Sequence, residues 1–96
     1  MYELRFAQDV AKALEKLTAK EQERIKAALR VLAEEPRGAN TRKLRGSELY
    51  RYRTGKYRII YGVRDDKLLV IMLDVMHRGE DYQSLETLVR RWRSLL

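Results

Sequence analysis

Two neighbouring stretches of this chain set arginines and tyrosines at the spacing of a β-strand: Leu49-Tyr50-Arg51-Tyr52-Arg53 and Tyr57-Arg58-Ile59-Ile60-Tyr61. Side chains alternate across a strand. Leu49, Arg51 and Arg53 therefore share one face, opposite Tyr50 and Tyr52. Arg58 and Ile60 share a face, opposite Tyr57, Ile59 and Tyr61. If the two strands bring all three arginines to one side, three guanidiniums form a patch. Like charges that close are unfavourable alone. They become sensible when the partner is a polyanion, because arginine makes bidentate contacts to phosphate and tyrosine rings stack on bases. The plainer reading is a solvated basic surface with tyrosines in the core.

The placement of charge weakens that plainer reading. The formal net charge is +7 over 96 residues. Residues 1–36 carry seven basic and seven acidic side chains, and residues 65–96 carry five and six. Residues 37–64 carry nine basic side chains (Arg37, Arg42, Lys43, Arg45, Arg51, Arg53, Lys56, Arg58, Arg64) against Glu48 alone. The whole excess lies in the middle block, and a surface of that kind attracts phosphate or an acidic protein.

A second group of reactive types is Met76-His77-Arg78-Gly79-Glu80-Asp81-Tyr82, with the one histidine of the chain. Histidine alone among side chains has an unperturbed pKa close to neutrality, so His77 is the natural general acid or base on chemical grounds. Each residue also has an ordinary reading: His77 as an exposed strand end, Arg78 paired with Glu80 or Asp81, Tyr82 packing the start of a helix. Other chemistries find no footing. There is no cysteine, which removes disulfides, thiol catalysis and zinc–thiolate sites. No metal-binding motif, phosphate loop or serine elbow is present. Asp65-Asp66 reads as a turn. No apolar run nears the ~20 residues of a membrane span, and no signal-peptide core opens the chain, so the cytoplasm is the expected location, with no membrane partner.

These groups need a scaffold, and the chain reads as a single domain over residues 1–96. Met1 to Phe6 alternates as a short strand. From about Ala7 to Leu17, the residues Phe6, Val10, Ala13, Leu14 and Leu17 recur at helical spacing. Thr18-Ala19-Lys20-Glu21 is a capping box, and the helix it opens runs to about Glu34, burying Ile25, Ala28, Leu29 and Leu32, before Pro36 and Gly38 end it. Two helices so closely joined should form a hairpin that needs a sheet to sit on. Residues 39–46 read as a basic loop. Strands are expected over Glu48 to Arg53, Tyr57 to Arg64 and Lys67 to Met76, with turns at Thr54-Gly55-Lys56 and Asp65-Asp66. The last strand is apolar on both sides from Leu68 to Leu73, which suits a central position. Gln83 to Leu96 reads as a helix with Leu85, Leu88, Val89, Trp92 and Leu95 on one face, either core or a groove for a partner. The expected fold is α+β: a small antiparallel sheet with the N-terminal helical hairpin on one face, a C-terminal helix, and the other face free.

Taken in order, Lys43-Leu44-Arg45-Gly46, Leu49 to Arg53, Gly55 to Tyr61, and Val75-Met76-His77-Arg78 followed by Tyr82 resemble the RelE/ParE superfamily, toxins of type II toxin–antitoxin systems. The resemblance spans nearly the whole chain and lies nearer the RelE branch. It implies a ribosome-dependent mRNA endonuclease that enters the 30S A site, against 16S rRNA, and cuts mRNA there without a cofactor or metal. It implies a RelB-like cognate antitoxin that wraps the toxin, with operator DNA bound through the antitoxin. By resemblance, Arg51 and Arg53 match the paired basic positions of the first central strand, Arg58 the arginine of the next strand, Arg78 the arginine after the last strand, and Tyr82 the base-stacking tyrosine.

The catalytic expectation is therefore Arg53, Arg58, Arg78, Tyr82 and His77, with Arg51, Lys43, Arg45 and Lys56 binding RNA. Well-known relatives carry lysines where this chain has Arg51 and Arg53. Arginine does not give up its proton in proteins, so a general-base role does not carry over to them. The alternatives are a gyrase inhibitor of the ParE type, and a catalytically inactive RNA-binding relative.

Overall fold

A computed structural model describes residues 1–77 and 84–95 of the chain. Strand β1 (Glu3–Phe6) leads into helix α1 (Gln8–Glu15) and helix α2 (Ala19–Glu34). Strands β2 (Thr41–Lys43), β3 (Tyr50–Thr54), β4 (Tyr57–Arg64) and β5 (Leu69–His77) follow, with a 3-10 turn at Asp65–Lys67, and helix α3 (Leu85–Ser94) closes the chain. The strands form one sheet in the order β1-β5-β4-β3-β2.

Local chemistry explains the boundaries. The Thr18 hydroxyl accepts from the Glu21 amide at 3.2 Å, and Glu21 accepts from the Thr18 amide at 3.0 Å. The expected capping box therefore starts α2. Gln22 stitches the helices together by donating to the Leu14 and Leu17 carbonyls. Before Pro36, Glu35 leaves the helical region at φ −144°, ψ 87°, since a following proline disfavours the α conformation. Ser84 accepts from the Thr87 amide and caps α3.

Three expectations need correction. Residues 39–46 are not all loop, because Thr41–Lys43 pairs antiparallel with β3 as an edge strand. Three residues of mixed polarity give too short a pattern to separate from loop. The sheet is not wholly antiparallel, since β1 runs parallel to β5, with Leu4 against Val70 and Phe6 against Met72. A strand that enters a helical crossover before pairing can return in either sense. The face away from the helical hairpin is only partly free, because α3 lies on it.

Two cores result, one on each side of the sheet. Ile25, Ala28, Leu29 and Leu32 of α2 meet Tyr52, Tyr57, Ile59, Tyr61, Val70 and Met72 on one side. On the other, Leu88 and Trp92 of α3 meet Leu49, Ile60, Leu69, Ile71, Leu73 and Met76. Strand β5 is thus covered on both faces, as its apolar run implied. Of the expected stripe on α3, Leu88 and Trp92 are buried, whereas Leu85 and Leu95 are exposed. Gly62 makes this seat possible: a Cβ there would stand 2.4 Å from the Trp92 ring. The Trp92 indole donates to Glu48 at 2.5 Å, and Arg91 donates to the Leu73 carbonyl and to Asp9. No described helix is long and apolar enough to cross a membrane.

Candidate nucleic-acid interface

The β3–β4 hairpin carries the arginines, and its turn sets their register. Gly55 has φ +56°, and Lys56, its partner in the two-residue turn, is not among the positive-φ positions. A positive φ at the first central residue is the hairpin geometry whose twist matches the flanking strands. Arg24 of α2 packs against this turn, where a Cβ on Gly55 would meet its guanidinium and Cδ at 2.6–2.9 Å. With that turn, Thr54 pairs with Tyr57, Arg53 with Arg58, and Arg51 with Ile60. Directly paired residues share a face. Arg51, Arg53 and Arg58 therefore lie together on the side opposite the helical hairpin, beside the ground occupied by α3.

The edge strand adds Arg42, which the sequence shows only as one member of the basic block. Arg42 pairs with Arg51 and so joins the same face. Its alternation with Thr41 and Lys43 is the signal, legible only once residues 41–43 are known to be a strand. The same register puts Lys43 opposite Tyr50, hence on the hairpin side and away from the arginine cluster. Arg45 is exposed in the β2–β3 loop, in a hollow lined by Lys43, Leu44, Gly46, Ser47 and Glu48. A hollow of about 250 Å³ at the hairpin tip is lined by Arg53, Gly55, Lys56, Tyr57 and Arg58.

Arg53 is exposed, while Arg51 and Arg58 are half-buried. The Arg51 Nε is a buried donor without a hydrogen-bond partner among the described residues, and such a group is costly unless something accepts from it. Arg37 and Arg64 of the basic block pair with carboxylates of the 3-10 turn. Arg37 donates to both carboxylate oxygens of Asp65 at 2.9 and 2.7 Å and to the Tyr50 hydroxyl at 2.9 Å. That pairing, together with a hydrogen bond from Tyr2, holds the Asp65 carboxyl down at about 2. Arg64 pairs with Asp66 at 3.0 Å, which lowers that carboxyl too. The tyrosines on the hairpin side are structural. Tyr50 stacks on Tyr61 at 5.7 Å, and the Tyr61 hydroxyl, raised mainly by burial, donates to the Pro36 carbonyl.

His77 does not join the arginines. It ends β5 paired with Tyr57, so it faces the helical hairpin. Its ring meets Tyr57 edge-on at 5.3 Å. The Tyr57 hydroxyl donates to Glu21, whose carboxyl is lowered first by that bond and then by the Thr18 amide. His77 and Tyr57 line a hollow of about 520 Å³ with Asp9, Lys12, Leu14, Lys16, Leu17 and Val75. Arg78 and Tyr82 lie outside the described residues. Among the described residues no group of three or more His, Asp or Glu side chains is placed to hold a metal ion.

This arrangement has relatives. Residues 2–82 match the family of ParE toxins of the type II toxin–antitoxin system parDE. The archaeal RelE of the RelE–RelB complex from Pyrococcus horikoshii OT3 is 30% identical, with 83% of this chain and 98% of that one aligned at a TM-score of 0.74. The toxin of the intact E. coli RelBE toxin–antitoxin complex is 34% identical over 84% of this chain and 100% of its own, at a TM-score of 0.70. The isolated E. coli RelE toxin is 27% identical, with 100% of both chains aligned and a TM-score of 0.73. No curated protein sequence matches. A five-stranded sheet with an arginine-bearing central hairpin, a family match over most of the chain and full-length likeness to RelE place this protein in the RelE/ParE superfamily of toxins of type II toxin–antitoxin systems.

Proposed function

We propose that this protein is a ribosome-dependent mRNA endonuclease of the RelE type, which inhibits translation by cutting mRNA in the A site. The observation that carries the reading is the registered arginine face: Arg51, Arg53 and Arg58 on one side of one hairpin, with Arg42 beside them. Such a face clamps a phosphate and stabilises charge that develops on it. The ribose 2′-hydroxyl attacks the adjacent phosphorus, the 5′-oxygen leaves, and the products are a 2′,3′-cyclic phosphate and a 5′-hydroxyl. DNA, lacking the 2′-hydroxyl, survives. Arg58 and Arg78 hold the scissile phosphate, Arg53 supports the phosphate or the leaving group, Arg51, Arg45 and Lys56 track the backbone, and Tyr82 stacks on the base. Lys43 and His77 stand on the other side of the sheet, so neither is assigned a direct contact with the phosphate. Much of the rate comes from the ribosome holding the RNA in line.

The partner is a small antitoxin. Relatives solved with RelB support this, as does the chemistry, since a face that takes RNA also takes an acidic segment that folds on it. The family match to ParE supports one other reading, inhibition of DNA gyrase. Primer extension on ribosome-bound mRNA, beside a supercoiling assay, separates the two. The endonuclease reading requires A-site cuts by wild type and a loss on the order of 10²–10³ in rate for Arg58→Ala and Arg78→Ala, by analogy with removed oxyanion donors. Intact mRNA together with blocked supercoiling refutes it.

A further inference from the structure

The described arginines of this face cannot accept a proton, and the strand pairing brings a carboxylate beside them from an unexpected place. Between β4 and β5 the register slips: Ile60 pairs with Asp74, but Tyr61 pairs with Met72. Leu73 is the extra residue, so β5 carries a β-bulge. A bulge re-aims side chains, and bulges are over-represented next to active sites. Below it, Val70 and Met72 join the hairpin-side core while Leu69, Ile71 and Leu73 join the α3 side. Above it, Val75 packs against the hairpin-side core and Met76 belongs to the α3 side. Leu73 and Asp74, though consecutive, therefore both point to the face that carries α3 and the arginines. Without the bulge, Asp74 would face the helical hairpin.

The bulge is held in place. The Arg91 guanidinium donates to the carbonyl of Leu73 at 2.8 Å and to Asp9 at 2.7 Å. Asp74 accepts from the Val75 amide at 2.9 Å and is half-buried. It ends a row that runs across four strands: Arg42, Arg51, Ile60, Asp74. Arg58 pairs with Met76, so it is the diagonal neighbour of Asp74, at a separation of roughly 7–8 Å that long side chains bridge. Among the described residues, the charged groups of β2, β3, β4 and α3 on this side include Arg42, Arg51, Arg53, Arg58 and Arg91, and an arginine does not release its proton in the working range. Of the other described carboxylates near α3, Glu48 accepts from the Trp92 indole, Asp9 from Arg91 and Glu86 from Arg90. Tyr57 and His77 face the opposite side.

We infer that Asp74, turned onto the arginine face by the bulge at Leu73, is the carboxylate that accepts the proton of the attacking ribose 2′-hydroxyl. The inference deepens the proposed endonuclease function and rests on it. Asp74 takes the 2′-hydroxyl proton as the bond from that oxygen to phosphorus forms. The bond from phosphorus to the 5′-oxygen breaks, the leaving oxygen takes a proton from water, and Asp74 returns its proton to solvent.

The test compares wild type, Asp74→Asn and Asp74→Glu on ribosomes programmed with mRNA. Cleavage is followed in single turnover against pH, and affinity is measured with mRNA bearing a 2′-deoxy nucleotide at the cut site. Asp74→Asn should cut at least about 10²-fold more slowly, the lower end for a lost general base. It should bind the uncleavable mRNA as wild type does and lose the rise of rate with pH. Asp74→Glu should recover part of the rate. If the asparagine variant melts early, Asp74→Ser takes its place and is judged by the same criteria. Several results overturn the assignment: cutting by Asp74→Asn at the wild-type rate, a loss of affinity that matches the loss of rate, or loss of cutting that follows Glu80→Gln or Asp81→Asn instead. Wild type that binds the ribosome and never cuts overturns the endonuclease reading itself, and the assignment with it.

Discussion

Replacing Gly62 with alanine should unseat α3. The added Cβ would lie 2.4, 2.5 and 2.7 Å from three ring carbons of Trp92. Carbon atoms pack at about 3.5–4.0 Å, so the indole must retreat by roughly an ångström. It is poorly free to do so. Its Nε1 is bonded to Glu48, the neighbouring Arg91 ties α3 to the Leu73 carbonyl and to Asp9, and the ring is only 1% exposed. Overpacking of this kind costs about 1–3 kcal/mol. For a domain of this size each kcal/mol lowers Tm by about 4–8 °C, so a fall of at least about 4 °C is expected. Trp92 is the one tryptophan of the chain, so its fluorescence reports the displacement directly and should move to the red. Trp92→Leu in the Gly62→Ala background should recover part of the loss relative to the sum of the single changes, because residues in contact couple. A melt for Gly62→Ala that superimposes on wild type, with unchanged emission, would refute the seating of α3 on the sheet and the account of the second core.

Other consequences follow from the same geometry. Arg53→Ala and Arg58→Ala should each lower the salt dependence of single-stranded RNA binding by about 0.7 in the log–log slope, whereas Lys43→Ala, on the opposite face, should lower it less in a filter-binding titration. The Asp65 carboxyl is lowered from 3.8 to about 2, first by Arg37 and then by Tyr2. Its contribution to stability is therefore present above pH 4 and lost as pH falls towards 2, and Asp65→Asn should flatten that part of a urea-midpoint profile. Tyr57→Phe removes the bond to Glu21 and should destabilise by about 0.5–1.5 kcal/mol without changing RNA affinity, a pairing of results that equilibrium unfolding and binding can check.

The legible parts of this molecule are those where one periodic rule governs a long stretch. The α2 helix announced itself through Thr18, Glu21 and a regular apolar stripe, and β5 through apolar residues on both sides. The arginine face was legible because alternation plus a glycine turn fixes which residues of a hairpin share a side. Illegible parts depend on partners distant in sequence. Whether Thr41 to Lys43 is a strand is decided by β3 beside it, and whether β1 lies parallel to β5 by the crossover through the two helices. His77 shows the gap most plainly. Its chemistry suggested a base, but pairing with Tyr57 turns it to the hairpin side. Alternation counted back from His77 would also have put Asp74 on the arginine side, yet alternation counted forward from Val70 puts it on the other. The contradiction inside one strand is itself the signature of the bulge.

That bulge explains how one sheet face carries two unlike surfaces, an apolar seat for α3 and a row of charged side chains. Below Leu73 the face must be apolar, because Trp92 and Leu88 bury themselves on Ile71, Leu69 and Ile60. Above it the same face carries Asp74 diagonally beside Arg58, with Met76 still in the α3-side core. An uninterrupted strand would carry the same face on with Val75 and leave a valine among the arginines. Inserting one residue resets the alternation, so Val75 returns to the hairpin-side core and Asp74 takes the boundary. The reset needs an anchor, since an extra strand residue leaves ladder groups unpaired, and Arg91 meets the Leu73 carbonyl. The helix that completes the apolar half therefore also fixes the geometry of the charged half. A partner that lifted α3 would remove that anchor along with Trp92, so the stability of the second core and the alignment of Asp74 with Arg58 are two readings of the same contact.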